Sequence, residues 1–420
     1  MAKPAFVMAR KIDWMGLILI SATFLNAALA FANNQIFPIN ASIASAAQLA
    51  VTTAAVAITL LRYPRLPLRF WAALSCLGLL TLMVSFWNNL NAKHFYDLLV
   101  IPCFIAFGTV VRCFPLKAFK IIFGAVSVIT FLDVFAVGLY TALLDPLSYF
   151  RNTRVWVANQ LPAGSDEAGL YLGANRGGGM FFSFLTDHRA GGPFLEPLSL
   201  GYFAVVSSML FAIWLRYHPI ERTLAFGACL ILALLADSRV AAAMVMAFFG
   251  ISCVQPLVRR WWSSVAPIIL LLSAFIFYIA SEGRNAVSET PRRIAITFDA
   301  LLDSPLVELF NGVLSTTQFG DSGILYLIHA ATLPGMFICL YLFSGQMNQT
   351  RLAQPLIPLM ASIYLTTTAL FGGAFLSIKT SALLGLIIGA ASVGALPMKA
   401  KRMRASRGGS LGRLASLGSA

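Results

Sequence analysis

The chain has 420 residues, of which 59% are hydrophobic and only 11% are charged. Soluble domains carry about 25% charged residues, so this composition excludes an ordinary soluble globular protein and indicates that lipid covers most of the surface. The formal net charge is +14. The basic residues nevertheless occur in short clusters between apolar segments, which is typical of membrane-protein loops and argues against nucleic-acid binding.

The apolar segments predict an all-α polytopic integral membrane protein with about twelve transmembrane helices. A helix needs about 20 apolar residues to cross the hydrocarbon core. In chain order the predicted spans are 14–33, 41–61, 70–88, 95–111, 121–143, 197–215, 223–237, 240–257, 264–280, 322–343, 355–372 and 380–397. We therefore predict one transmembrane domain over residues 1–398, followed by a basic tail at 399–420 whose Gly/Ser/Arg-rich composition predicts disorder.

Basic clusters set the predicted orientation of these spans. They comprise Lys3, Arg10 and Lys11; Arg62, Arg65 and Arg69; Arg112, Lys117 and Lys120; Arg216 and Arg222; Arg259 and Arg260; Arg351; and the C-terminal tail. Cytoplasmic loops are enriched in Lys and Arg, so both termini are predicted to be cytoplasmic. An even number of spans is consistent with that orientation.

A short polar turn, Asp237-Ser238-Arg239, interrupts a long apolar stretch. A single helix over residues 223–258 would be about 54 Å long, whereas the hydrocarbon core is about 30 Å thick. We therefore predict a tight outward hairpin, with Asp237 and Arg239 slightly below the outer surface. A charge with apolar flanks is tolerated where it faces protein or a water-filled cavity, which makes Arg239 a candidate functional residue.

Two long loops, 145–196 and 281–321, are predicted on the outer side. The first contains Arg176 beside a run of glycines, and Arg189 shortly before Glu196.

The second outer loop contains a helix signal. Thr290 is a predicted N-cap and Pro291 a first-turn proline. The apolar residues that follow have helical spacing, which predicts an amphipathic helix lying on the membrane or covering a cavity. Arg292 and Arg293 begin this helix, and Asp321 ends the loop.

The outer arginines are the candidate binding residues. Several guanidinium groups around one cavity suit a phosphate or diphosphate, because each binds two oxygens in a planar fork. The plainer alternative for each arginine is a solvated or structural role. The candidates are Arg176, Arg189, Arg239, Arg292 and Arg293.

No motif indicates a metal or nucleotide cofactor. The four histidines, at 94, 188, 218 and 329, are scattered, and the HExxH, Asp-x-Asp, Walker A and GxGxxG motifs are absent. We therefore predict no metal and no cofactor. Asp133, inside the fifth predicted span, is either a relay or a partner for a neighbouring helix, and the sequence leaves both open.

Three separated segments resemble the O-antigen polymerase and ligase superfamily (Wzy/WaaL-type). The first is RAGGPFLEPLSLG at 189–201, the second is ADSRVA at 236–241, and the third runs from Arg292 and Arg293 through LFNG at 309–312 to DSGIL at 321–325. Ligases of this superfamily carry a His-Asn pair where this chain has Asp321-Ser322, which favours a Wzy-type polymerase of O-antigen or exopolysaccharide repeats.

The resemblance implies a GT-C-like, metal-independent glycosyltransferase in the bacterial inner membrane, with its site open to the periplasm. The donor would be a glycan on undecaprenyl diphosphate, and the acceptor a lipid-linked repeat unit. Arg189, Arg239 and Arg293 would bind the diphosphate, with Arg292 as the substitute for Arg293. Glu196 or Asp321 would be the catalytic base. A flippase and a chain-length regulator would be partners.

Two rival functions stay open at this stage. One is a ligase that moves finished glycan onto lipid A-core or a protein. The other is a transporter or lipid flippase, although transporters place ionisable groups at the membrane midplane and often contain inverted repeats. Here the charges concentrate in the outer loops and the near-surface hairpin.

Overall fold

The computed structural model describes residues 13–88, 92–154, 157, 169–170, 174, 186–281, 289–312, 314, 322–345 and 355–397. Two candidate site residues, Arg176 and Asp321, lie outside these described residues, as does the basic tail at 399–420. Within the described ranges the secondary structure is helical and contains no β-strand.

The α-helices of the described residues, numbered here in chain order, include at least one helix at each predicted span. They are α1 (Trp14–Gln35), α2 (Ala41–Leu61), α3 (Leu68–Asn88), α4 (Ala92–Thr109), α5 (Leu116–Phe135), α6 (Val137–Leu144), α7 (Pro146–Thr153), α8 (Pro197–Trp214), α9 (Pro219–Leu235), α10 (Arg239–Cys253), α11 (Trp262–Ala280), α12 (Glu289–Asp303), α13 (Leu306–Asn311), α14 (Gly323–Phe343), α15 (Leu356–Phe371) and α16 (Ile378–Ser392).

Seven segments of these helices are long and apolar enough to cross a membrane. They are Trp14–Gln35, Ala41–Leu61, Leu68–Phe86, Leu116–Phe135, Pro197–Trp214, Trp262–Ala280 and Gly323–Phe343, and α10, α15 and α16 are shorter apolar helices. The expectation of an all-helical membrane protein is therefore confirmed. Twelve crossings and a GT-C-like arrangement stay predictions.

The predicted span at 121–143 is wrong in its bounds. Helix α5 already begins at Leu116, and the helical geometry breaks at Ala136, whose backbone has φ −138° and ψ 52°. The shorter α6 continues to Leu144. Asp145 then ends it in the left-handed conformation, with φ 36°, and its side chain caps α7 by accepting the Ser148 N–H. Part of the predicted outer loop is therefore helical.

The helix signal in the second outer loop is confirmed, with one correction. Helix α12 begins at Glu289, so Thr290 lies in its first turn and is not the N-cap. Pro291 fits there, because the N–H groups of a first helical turn have no intrahelical partner and a proline loses nothing.

Helices α8 and α16 lie at the centre of the molecule, and α2, α3 and α11 lie at its periphery. The apolar window of α8 is 89% buried, against 11% for α11. Glycines allow α16 to approach α4 at backbone contact: a Cβ on Gly385 would lie 2.7 Å from the Cβ of Phe104, and one on Gly108 would lie 2.7 Å from the Leu386 carbonyl oxygen. Such contacts are typical of membrane helices, which associate through close packing of small residues.

Candidate functional site

Helices α8, α10, α14 and α16 begin at the same end of the bundle, which we call the polar end. Gly201 near the start of α8 faces the cap of α10, since a Cβ there would lie 2.9 Å from the Cβ of Ser238. Lys379 at the start of α16 bonds to Glu196, the residue before α8. At the start of α14, a Cβ on Gly323 would lie 2.6 Å from the Gly372 carbonyl oxygen, in the loop that leads to α16. The N-terminus of each helix carries about half a positive charge, so this end favours anions.

The serines that start two of these helices explain where they begin. Ser238 accepts the N–H of Ala241 in α10, and Ser322 accepts the N–H of Leu325 in α14. Each hydroxyl satisfies a backbone donor that the first turn leaves without a partner.

Glu196 is the centre of a charged cluster at the polar end. One carboxylate oxygen forms an ion pair with Arg154, and the other lies 2.6 Å from the Lys379 Nζ and accepts the Ser199 hydroxyl at 3.0 Å. Lys379 also donates to the carbonyl oxygen of Phe194 at 3.3 Å. Its side chain is 3% exposed. A buried ammonium of this kind is retained only where a carboxylate neutralises it.

The cluster keeps Glu196 ionised. Burial alone raises the pKa of this carboxyl, but the positive charges of Lys379 and Arg154 outweigh burial and hold the pKa well below its usual range. A carboxylate with a low pKa is a weak proton acceptor at neutral pH. The predicted role of catalytic base is therefore disfavoured for Glu196. Its contacts instead favour a role in positioning the side chains of Lys379 and Arg154.

Lys379 and Arg154 are the residues that the sequence analysis missed. Lys379 directly precedes the last predicted span, where a lone lysine beside an apolar run is a signal of function or pairing. Arg154 follows an aromatic pair, and its guanidinium lies 4.3 Å from the centre of the Phe150 ring. Only its position in the fold reveals that it reaches Glu196.

Arg189 contacts the turn that carries Arg239. Its Nε donates to the Ala236 carbonyl oxygen at 3.2 Å and lies 3.9 Å from a carboxylate oxygen of Asp237. The next residue, Ala190, donates its N–H to the Leu235 carbonyl oxygen at 3.0 Å. The first outer loop is thus attached to the hairpin predicted between two spans.

The hairpin itself is confirmed, since α9 ends at Leu235 and α10 begins at Arg239. Its two charges lie in different environments. Asp237 is 3% exposed and left-handed, with φ 45°, whereas Arg239 is exposed at the first position of α10. Asp237 is thus buried within the protein and Arg239 is exposed. Their depth below the outer membrane surface stays a prediction.

Asp133 binds the loop before α8, so the partners that the structure describes for it lie in a loop and not in the body of a neighbouring helix. One of its oxygens lies 3.0 Å from the Nε2 of His188, and the other accepts the N–H groups of Gly191 and Gly192 at 2.8 and 2.9 Å. Gly192 has φ 53°, and a Cβ there would lie 2.5 Å from the Thr130 hydroxyl. Asp133 is therefore a partner for this loop, and it fixes the position of the neighbouring Arg189.

Arg293 faces the bundle and Arg292 faces outward. The Arg293 guanidinium donates to the Phe371 carbonyl oxygen at 3.1 Å, at the end of α15, whereas Arg292 is exposed. One turn further along, the Thr297 hydroxyl donates to the Ser322 hydroxyl at 2.8 Å. These bonds bring α12 to the polar end and favour Arg293 over its neighbour.

A second polar cluster joins the first turns of α4 and α14. Asp97 pairs with Lys93 and accepts the Tyr326 hydroxyl at 2.6 Å. The His94 ring stacks on Tyr326 with centroids 5.4 Å apart and lies 5.8 Å from the His329 ring. Two histidines that are scattered in the sequence are therefore neighbours in the fold.

The structure brings four of the sequence candidates, Glu196, Arg189, Arg239 and Arg293, to the polar end. In the described part of the chain, no group of three or more His, Cys, Asp or Glu side chains has metal-binding geometry. Neither a family model, nor a curated protein, nor a solved structure matches this chain.

Proposed function

We propose that this protein is a Wzy-type polysaccharide polymerase, a metal-independent glycosyltransferase of the bacterial inner membrane. It would transfer a glycan from undecaprenyl diphosphate onto a lipid-linked oligosaccharide repeat at the periplasmic face. The proposal rests on one observation above all. Arg189 contacts the turn that presents Arg239, at the end of the bundle where α8, α10, α14 and α16 begin.

The diphosphate would bind between the guanidinium groups of Arg189, Arg239 and Arg293. Each guanidinium offers a planar fork that matches two phosphate oxygens. Asp237 would hold Arg189 in place, since the two side chains are 3.9 Å apart. Arg239 extends from the N-terminus of α10, where the helix dipole adds to its attraction for an anion.

In the proposed reaction, an acceptor hydroxyl oxygen attacks the anomeric carbon of the donor glycan. A new glycosidic bond forms while the bond from that carbon to the lipid diphosphate breaks, and the electron pair leaves with the diphosphate. The arginines would neutralise the charge that builds on this leaving group, which is an electrostatic form of catalysis.

The hydroxyl proton needs an acceptor. Glu196 already holds two cations, so we expect it to position Lys379 and Arg154 near the donor, and Asp321 remains the predicted base. Lys379 would add a fixed positive charge close to the start of α8.

The test is an elongation assay on purified full-length protein. The substrate is the lipid-linked repeat extracted from host cells that lack this protein, and EDTA is present throughout. We expect longer lipid-linked glycans from the wild type. Arg189→Ala and Arg239→Ala should each reduce the rate on the order of 10²–10³-fold, the usual cost of losing one donor to a developing negative charge.

Arg216→Ala is the matched control, because this arginine follows α8 at the opposite end of that helix and should leave the rate unchanged. Unaltered elongation by both site variants at normal protein levels would contradict the proposal. Movement of the lipid-linked repeat across a vesicle without new glycosidic bonds would indicate a flippase. In cells that lack the protein, accumulation of long unligated polymer instead of single-repeat products would indicate a ligase.

A further inference from the structure

A cavity of about 750 Å³ lies at the other end of α16, opposite the polar end. Lys379 is near the first residue of this helix, and the cavity is formed by the residues that follow its last turn. Fifteen residues of helix span about 22 Å, so the two regions are well separated. The C-terminal ends of α2 and α4 complete the wall. The lining residues are Leu61, Arg62, Tyr63, Arg65, Thr109, Val110, Val111, Arg112, Val393, Gly394 and Ala395.

Three arginines line this cavity, and no acid does so among the residues that the structure describes. Arg62 and Arg65 come from the connection between α2 and α3, and Arg112 follows α4. None of the three forms an ion pair with a carboxylate among the residues that the structure describes. All three are exposed at the rim, so their guanidinium groups remain available to a ligand.

The charge at the cavity is not cancelled by the surrounding backbone. Each of the three helix C-termini contributes roughly half a negative charge, which leaves about half of the three positive charges uncompensated. The enrichment of bases in inner loops explains why arginines occur in these connections. It does not require arginines from two separate connections to line one cavity.

We propose that this cavity binds a phosphate group, supplied by the headgroup of an anionic phospholipid or by free phosphate. Guanidinium forks match phosphate oxygens, and basic pockets between membrane helices recognise anionic headgroups. The apolar part of the wall and the adjoining surface of α2, where Leu60 is 62% and Leu61 80% exposed, offer a path for an acyl chain. The site is independent of the polymerase chemistry proposed for the polar end.

Binding is measured on purified full-length protein in a neutral detergent. Dioleoyl phosphatidylglycerol and inorganic phosphate are the two probes, and the readouts are the Tm and the lipid adducts retained in native mass spectrometry. We expect phosphatidylglycerol to raise the Tm of the wild type and to remain bound. The triple variant Arg62→Gln/Arg65→Gln/Arg112→Gln should bind at least tenfold more weakly.

The control triple variant is Lys117→Gln/Arg259→Gln/Arg260→Gln. It removes the same charge from basic residues that do not line the cavity, so it should bind phosphatidylglycerol as the wild type does. Stabilisation by phosphatidylglycerol alone identifies a lipid headgroup as the source, and equal stabilisation by millimolar phosphate identifies free phosphate. Both results support the site.

The proposal is overturned if neither probe binds the wild type more tightly than the cavity variant, or if both triple variants lose binding equally. The second result would mean that net charge, and not the cavity, attracts the probe. Size-exclusion profiles establish that each variant is folded. The single variant Arg65→Gln provides an intermediate case, because it alters one exposed side chain and should weaken binding by a smaller factor.

Discussion

At the scale of single residues, burial distinguishes charges that the sequence presents as equivalent. Lys93 and Lys379 each pair with a carboxylate, but their side chains are 70% and 3% exposed respectively. An exposed ion pair contributes about 0–1 kcal/mol, whereas breaking a buried pair leaves an uncompensated charge and costs about 3–5 kcal/mol. Lys379 is therefore expected to matter for folding as well as for the site.

Lys379→Met should lower the Tm of the purified protein strongly. Lys93→Met, the matched control, should lower it less, because Lys93 is exposed and Asp97 keeps the hydrogen bond from the Tyr326 hydroxyl. Glu196→Gln in the Lys379→Met background removes the carboxylate that Lys379 neutralised, so the double variant should lose less stability than the two single variants added together. Thermal unfolding followed by tryptophan fluorescence measures each effect. Strict additivity would show that the two side chains are not coupled.

Single residues also show which charged contacts the sequence could not predict. Arginine positions and their apolar flanks identified Arg189 and Arg239, since these features are local. The contact of Arg154 with Glu196 spans 42 positions and that of Lys379 with Glu196 spans 183, and no local pattern contains either. Asp133 illustrates the same point, because its partners at 188–192 lie in another segment of the chain.

At the scale of elements, hydropathy predicted where helices lie, and local capping determined where they end. The hairpin at 236–238 was predictable, because one continuous helix is too long for the membrane. The break between α5 and α6 was not, since the backbone at Ala136 departs from helical geometry inside an apolar run. The sequence also did not predict which helices are neighbours, because an apolar helix gives no indication of which face contacts protein and which contacts lipid.

The close contact between α4 and α16 leads to a prediction about stability. A Cβ added at Gly389 would overlap the Ile105 carbonyl oxygen and crowd the backbone of Gly108. Gly389→Ala should therefore destabilise the protein, because overpacking costs about 1–3 kcal/mol. Gly124→Ala in α5 is the control, since nothing lies within 4 Å of its added Cβ and alanine favours a helix by up to about 1 kcal/mol over glycine.

The Tm in detergent distinguishes these two glycine variants directly. We expect a clear decrease for Gly389→Ala and no decrease for Gly124→Ala. If both variants matched the wild type, the close approach of α4 and α16 would not contribute to stability, and the packing described here for the centre of the bundle would be wrong.

At the scale of the whole molecule, the arrangement of charge distinguishes the two ends of the bundle. The described lining of the cavity carries arginines without acids, whereas the polar end interleaves Arg154, Arg189 and Lys379 with Glu196 and Asp237. The positive-inside rule predicts that the first end lies in the cytoplasm and the second in the periplasm. A periplasmic polymerase requires that orientation. The proposed function would therefore be wrong if the polar end faced the cytoplasm.

Native cysteines provide the test of this orientation. Cys113 beside Arg112 and Cys253 at the end of α10 are exposed at the predicted cytoplasmic end, whereas Asp187 is exposed at the polar end. A membrane-impermeant maleimide should leave the wild type unlabelled in spheroplasts and should label it in inverted vesicles. Asp187→Cys should be labelled in spheroplasts. If the wild type were labelled there and the variant gained nothing, the arginines of the polar end would face the cytoplasm, away from any periplasmic lipid-linked glycan.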